Sequence, residues 1–248
     1  MTTAELTVER DGPTRHVTLT RPDKSNALSA TLVEALLAVL DEAERDGTTL
    51  MIFRGAGTNF CSGFDLGDLV TQSDGDLVLK LIRIEMLLQR IAHAPFATLA
   101  LAHGKVLGAG CDIFCSCAQR VATPDAKFRM PGWRFGIALG TRRLVGRVGA
   151  DAARSILSAS RVFDAAEAKT IGFATSLAPK EEWAGVIEAA VARAALLDPV
   201  SQTMLLALTA PDTRAADLAA LVESASRPGL KARIEQYRAA EKAARARK

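Results

Sequence analysis

Aromatic side chains are scarce in this chain. Its 248 residues hold one Tyr, two Trp and nine Phe. So few rings leave little for the stacking platforms that grip single-stranded nucleic acid. The formal charge is only +3, and much of the basic excess sits in the terminal KAARARK, which reads as a solvated helix end. Nucleic acid is not an expected partner. Half the residues are hydrophobic, yet no run reaches the roughly 18 apolar residues that a membrane span needs. The opening MTTAELTVERDG has no apolar signal core. These absences predict a soluble, cytoplasmic protein with no membrane partner. Cysteine is also sparse: Cys61, Cys111, Cys115 and Cys117. The last three fall within seven residues of one predicted helix, a poor geometry for disulfides. Their C-x3-C-x-C spacing, with no His nearby, fits no common zinc pattern. They are expected as small core residues, and no metal site is expected.

The pattern that is present alternates strand and helix. ELTVERDG and RHVTLT read as a hairpin broken at Gly12-Pro13. A helix is predicted over 29–44, with Thr31 and Glu34 as a capping box and Leu32, Leu36 and Leu40 on one face. TLMIFR and FATLALA are short, continuously apolar strands. Helices are predicted over 75–93 and 109–118. RVATPDAKF returns as strand and turn, and 139–175 reads as short helical pieces. FATSLAP is a last strand, and 181–197 is helical. The remainder is helical with a break at Pro228-Gly229. Its apolar stripes (Leu218, Leu221 and Val222; then Leu230 and Ile234) have little to bury against alone, which predicts a trimer or a dimer of trimers. An α/β core with a helical appendage follows. The division falls between a core over 1–195 and a helical region over 196–248.

Two glycine segments stand out. GAGTNF follows strand LMIF, but Phe60 occupies the third glycine position of a dinucleotide fingerprint and no helix opens there. No Walker loop and no G-x-S-x-G elbow occur. Ser62 has no base near it in sequence. The second segment, GKVLGAGCDIFCSC, carries Gly104, Gly108 and Gly110 before Asp112 and an apolar helix. Gly63 precedes Phe64-Asp65 as Gly108 precedes Ala109-Gly110. Each places a glycine turn after a buried strand and before an expected helix start. Two such N–H groups can converge on one oxygen, the layout of an oxyanion hole for a carbonyl that becomes an enolate.

Five segments together resemble the crotonase superfamily, the enoyl-CoA hydratase/isomerase family. They are RPDKSNALSA, NFCSGFDLGDL, HGKVLGAGCDI, RVATPDAKFRMP and RRLVGRVGADAA, in the family's order and spacing. The resemblance implies a spiral of ββα turns whose C-terminal helices assemble trimers or dimers of trimers. It implies an acyl-CoA thioester as substrate, no cofactor apart from that coenzyme A, and a carbonyl held by the Phe64 and Ala109 N–H groups. Lys24, Asn26, Ala27, Leu28, Asp65 and Leu66 fall where the family lines its CoA channel. Read without the family, Asn26 is a turn residue and Asp65 a helix cap.

The family's hydratases hold a water between two glutamates. Asp112 stands at the first position and Gly132 at the second, so the pair is broken. Buried, Asp112 can shuttle a proton; otherwise it is an anion in the first turn of a helix. Trp133 can close over an acyl group or fill the core. Arg134 can pair with a substrate carboxylate or sit on the surface. Hydration or double-bond isomerisation is the expected chemistry. The alternative is a non-catalytic acyl-CoA-binding or assembly subunit that lost the second carboxylate.

Overall fold

The computed structural model describes residues 4–246. Residues 1–3 of the opening segment and 247–248 of the basic tail lie outside the described residues. Strands β1 (Leu6–Asp11) and β2 (Thr14–Leu19) form the expected antiparallel hairpin. Helix α1 (Ala30–Ala43) buries Leu32, Leu36 and Leu40 as read. Its cap differs from the expected box. Ser29, in extended backbone, accepts the Leu32 N–H at 3.0 Å. Glu34 instead reaches Arg83.

Strand β3 (Leu50–Gly55) leads to helix α2 (Asp74–Ala92), which carries a true capping box from Ser73 and Asp76. Then come β4 (Ala97–Ala102), β5 (Lys105–Leu107), α3 (Ala109–Ser116), β6 (Gln119–Ala122) and β7 (Lys127–Arg129). Helices α4 (Thr141–Val148) and α5 (Ala150–Ala159) precede β8 (Val162–Asp164), α6 (Ala165–Thr170) and β9 (Ser176–Leu177). Helices α7 (Trp183–Ala194), α8 (Pro199–Thr209), α9 (Arg214–Ala225) and α10 (Leu230–Ala246) complete the chain.

The large sheet has the order β1-β2-β3-β4-β6-β9 and is parallel beyond the first pair. Its central strands β3 and β4 are covered on both faces, which is why they read as unbroken apolar runs. A second sheet, β5-β7-β8, is extended by a bridge between Cys61 and Val106. Each turn therefore lays one strand in the large sheet, one segment in the small sheet, and then a helix. The turns are β3, Cys61, α2; then β4, β5, α3; then β6, β7, α4. This is the ββα spiral. Phe114, Phe128, Phe163 and Phe173 meet at ring separations of 5.2–5.3 Å beneath α3 and fix its position.

Strand β8 interrupts the stretch 139–175 that was expected to be helical. Three-residue strands such as β5 and β8 are too short for alternation to register. The 195/196 boundary falls in the turn between α7 and α8. Helices α9 and α10 fold back on the core: Leu221, Ala225, Leu230 and Ile234 pack with Leu69, Leu77, Leu81 and Ile137. This corrects the expectation that the stripe of Leu218, Leu221, Val222, Leu230 and Ile234 lacks a partner within the chain. Leu221, Leu230 and Ile234 are fully buried here. Among helices α8 to α10 the large exposed apolar residues lie on α8: Val200, Met204, Leu205 and Leu208. Among the described residues, no single helix is long and apolar enough to cross a membrane.

Candidate active site

The two glycine loops meet. Gly63 has φ +84°, and a Cβ there would stand 2.5 Å from the Leu107 oxygen and 2.8 Å from the Ala109 nitrogen. Only glycine lets the loops approach this closely. Phe64 does not open a helix, contrary to the reading from sequence. It forms a parallel bridge with Leu28, in which Leu28 N–H donates to the Gly63 oxygen and Asp65 N–H donates to the Leu28 oxygen. That pairing uses the residues flanking Phe64 and leaves the Phe64 N–H outside it. Ala109 is the first residue of α3, and its N–H has no intrahelical acceptor. Neither amide donates to a backbone carbonyl among the described residues. Gly108, at φ +51°, caps α3 and donates its own N–H to the Arg129 oxygen.

Phe64, Gly108, Ala109 and Asp112 line one cavity of about 370 Å³ with Ser62, Leu66, Gly132 and Trp133. Asp112 is 4% exposed, and its Oδ1 is sealed with no hydrogen-bond partner. Burial pushes its carboxyl well above the usual range. The Arg143 guanidinium opposes that rise and Glu85 adds to it. Space for the carboxyl comes from Gly140, at φ +62°, where a Cβ would stand 1.9 Å from Asp112 Oδ1.

Of the residues expected to hold CoA, Leu66 lines this cavity, while Lys24, Asn26, Ala27, Leu28 and Asp65 do not; their loop touches it through Ser62 and Phe64. Lys24 is exposed, and its carbonyl accepts the Ser62 hydroxyl at 3.2 Å. Asn26 is fully buried and staples the loop. Its Oδ1 accepts the Arg21 N–H, and its Nδ2 donates to the Ala56, Asn59 and Phe60 carbonyls. Ala27 and Leu28 are buried beside it. Asp65 caps no helix. It accepts the Gly67 N–H at 2.9 Å and pairs with Arg21 at 2.8 Å. Gly110 packs on the Cys61 carbonyl and does not line the cavity.

Trp133 is 45% exposed rather than core, and its Nε1 donates to Thr141 at 3.2 Å. Arg134 lines a separate cleft with Arg227 and Arg233, not the cavity that holds Asp112. Gly132 stands at the cavity wall with no carboxylate. All four cysteines are free and buried, and burial pushes Cys61 and Cys117 up to about 12 and Cys115 to about 11. Among the described residues, no group of three His, Cys, Asp or Glu side chains is placed to hold a metal.

Several wall residues come from α10, a segment that carries no motif: Tyr237, Glu241 and Lys242 line the cavity with Arg129 of β7. Arg129 and Glu241 form a bidentate pair at 2.6 and 2.8 Å, which straps α10 across the mouth. Tyr237 packs on Phe135 at 5.3 Å between ring centres.

The family model for enoyl-CoA hydratase/isomerase matches residues 11–239. A probable enoyl-CoA hydratase of Bacillus subtilis is 33% identical, over 74% of this chain and 72% of its own. The ethylmalonyl-CoA decarboxylase of Pongo abelii is 34% identical, over 63% of this chain and 54% of its own. Among solved structures, an enoyl-CoA hydratase/isomerase from Bordetella parapertussis superposes with a TM-score of 0.93 at 52% identity. That match covers 94% of this chain and 98% of the other. The meeting of two glycine loops over a buried carboxyl, on a ββα spiral, agrees with these matches: the chain belongs to the crotonase superfamily, in its enoyl-CoA hydratase/isomerase family.

Proposed function

We propose that this enzyme processes an acyl-CoA thioester by stabilising its enolate, with Asp112 as the one carboxyl that moves a proton at the substrate. The observation that carries this reading is the pair of unspent amides, Phe64 and Ala109, in a cavity that also holds Asp112. The thioester oxygen gains negative charge as the enolate forms. Two fixed N–H donors favour that charge without reorganising, and each is worth about 10²–10³ in rate. The CoA moiety runs along the loop of Lys24, Ala27, Leu28, Asp65 and Leu66. Asn26 holds that loop in shape, because its side chain is spent on carbonyls.

With Gly132 in place of a second carboxylate, and the Glu241 carboxylate of the opposite wall paired with Arg129, water has Asp112 as its one holder. Chemistry that needs a single proton transfer at the α-carbon suits the site better than hydration. Double-bond isomerisation also needs only one carboxyl. Asp112 takes a proton from the α-carbon, the electron pair enters the dienolate, and the same carboxyl returns the proton to the γ-carbon as the double bond shifts. Decarboxylation meets the single-transfer requirement: the C–C bond breaks, carbon dioxide leaves, its electron pair enters the enolate, and a neutral acid delivers one proton. The relative named ethylmalonyl-CoA decarboxylase lends weight to this second reading. The exposed face of α8 supports assembly of copies, with trimers or dimers of trimers the expected form.

The test is exchange of the α-protons of butyryl-CoA in D₂O, read by mass spectrometry. This substrate cannot be hydrated, so exchange reports the enolate alone. Pro is tolerated at the first position of a helix, so Ala109→Pro removes a donor at little cost to α3. Exchange should fall about 10²–10³-fold in Ala109→Pro, and it should vanish in Asp112→Asn while butyryl-CoA still binds. A folded Ala109→Pro protein that exchanges at the wild-type rate refutes the reading. Binding without wild-type exchange and without turnover of a malonyl-type thioester identifies the non-catalytic subunit instead.

A further inference from the structure

Behind Asp112 lies an ion network that the reaction, as described, does not use. Glu85 on α2 is 1% exposed and Asp217 on α9 is 5% exposed. Between them stands Arg143 of α4, whose side chain is 10% exposed. Its Nη1 donates to Glu85 Oε1 at 2.9 Å and to Asp217 Oδ2 at 3.2 Å, and its Nη2 donates to Glu85 Oε2. Arg142 donates to Asp217 Oδ1 at 3.1 Å from a half-exposed position. Gln89 and Thr213 complete the shells of Glu85 and Asp217, at 2.9 and 2.7 Å. Such a buried network contributes little stability relative to apolar packing of the same volume. Its presence therefore calls for another role.

We propose that Arg143 and Glu85 are positioning residues for the proton on Asp112, holding that carboxyl as a neutral acid ready to serve the substrate. The proposal rests on the reading of Asp112 as the proton-moving group. Three carboxyls, those of Asp112, Glu85 and Asp217, share two guanidiniums. Glu85 and Asp217 take the hydrogen bonds, and Asp112 Oδ1 takes none. Ionised Asp112 would be a third negative charge in a buried cluster, its Oδ1 without a donor among the described residues. Among the described residues the charges that act on it are Arg143 and Glu85, while Arg129, Glu241 and Lys242 stand on the α10 side of the same cavity, where Arg129 and Glu241 pair with each other. On α3 itself the flanking groups are Cys111 and Cys115, whose thiols burial holds neutral. Gly140, from the start of α4, presents only its Cα to the carboxyl.

Arg143 also limits the penalty once the proton has left. When Asp112 gives its proton to the α-carbon, the enolate electron pair forms the C–H bond and the thioester C=O is restored. The carboxylate left on Asp112 then faces Arg143. When Asp112 takes an α-proton the same step runs in reverse. Glu85 and Arg143 thus act on the acid in opposite senses, and removing either charge moves its proton affinity in a definite direction.

The measurement is the infrared C=O stretch of protonated Asp112, isolated as wild type minus Asp112→Asn and followed against pH without substrate. It does not depend on turnover, so a failed exchange assay and a failed network remain distinct. Glu85→Gln keeps the size and a hydrogen bond to Arg143 but deletes one negative charge. The titration should move to lower pH, and the pH limb of butyryl-CoA exchange should move with it. Asp217→Asn should move both in the same direction by less. Glu85→Asp restores the charge and should return the titration toward wild type. A purely structural role would lower melting temperature and amplitude but leave the titration in place. An unmoved titration in folded Glu85→Gln overturns the proposal. Should that variant fail to fold, Asp217→Asn decides, and an unmoved titration there overturns it equally.

Discussion

Gly140→Ala probes the site without touching any group that does chemistry. The added Cβ would stand 1.9 Å from Asp112 Oδ1 and 2.8 Å from its Cγ. Real Cβ contacts do not fall below 3.0 Å, so the carboxyl must retreat by about 1 Å. A displacement of that size costs on the order of 10²-fold in rate. The backbone adds its own penalty, since φ +62° suits glycine, at about 1–2 kcal/mol for another residue. Gly149→Ala separates the two effects. Its φ is +79° and nothing lies within 4 Å of the new Cβ, so it meets no collision, while its ψ of 163° lies in a region that glycine alone enters readily and makes its backbone cost the larger of the two. Both variants should lose stability in urea melts. In D₂O exchange of butyryl-CoA, well below the melting temperature, Gly140→Ala should fall about 10²-fold and Gly149→Ala should not. Binding of butyryl-CoA should persist in both. Exchange at the wild-type rate by folded Gly140→Ala would refute the placement of Asp112 at the reacting carbon.

Asp112 should also show in the pH dependence of stability. Folded protein keeps a proton there that the unfolded chain releases in the ordinary carboxylate range, so stability is whole below that range and declines as pH rises toward the folded-state value. Asn cannot ionise, so the advantage of Asp112→Asn over wild type in denaturant melts should widen with rising pH; a constant gap would contradict the assignment. Glu241→Gln should loosen α10 over the mouth and raise KM for acyl-CoA about fivefold, the equivalent of about 1 kcal/mol; an unchanged KM would deny the strap a role. Gly132→Glu should raise hydration of crotonyl-CoA at some cost in melting temperature, because its Cβ would crowd the Ile137 carbonyl at 3.1 Å; no gain in rate would show that the wall cannot seat a second carboxylate. On α8, Val200, Met204 and Leu208 share one exposed face at four-residue spacing. Leu208→Glu should shift sedimentation toward monomer, and a wild type already monomeric at micromolar concentration would remove the basis for assembly through that face.

The glycine loops were legible because their chemistry is local. Glycine before an expected helix start, after a buried strand, points to exposed amides whatever surrounds them. The same local view misassigned Phe64, because a single-residue bridge to Leu28 has no periodicity to read. It also misjudged the C-terminal stripe. Periodicity tells that Leu221, Leu230 and Ile234 face something apolar, but not that the partner is α2 of the same chain. The cavity wall from α10 was invisible for a related reason: Arg129 and Glu241 are 112 residues apart. Glu85 left one trace. It interrupts the buried face formed by Leu81, Ile84 and Leu88 on α2, and a charge on such a face needs a partner. Only the fold could name Arg143.

What one carboxyl can do narrows the chemistry. Adding water across a double bond needs a base for the water and an acid for the carbon. In the role proposed for it, Asp112 supplies one of these at a time, and burial, which raises its proton affinity, favours the acid. Reactions whose enolate arises without an enzyme base therefore gain most from this site. A malonyl-type thioester meets that condition, because loss of carbon dioxide generates the enolate and only its protonation remains. The two amides would hold the charge in the interval. Crotonyl-CoA does not meet it, since an attacking water would find apolar wall and Gly132 where a base should stand. Comparing the two substrates on wild type separates the readings by the direction of their ratio. If crotonyl-CoA is turned over faster, the water must be activated from elsewhere in the cavity, and the carboxylate of Glu241 on the facing helix becomes the group to test.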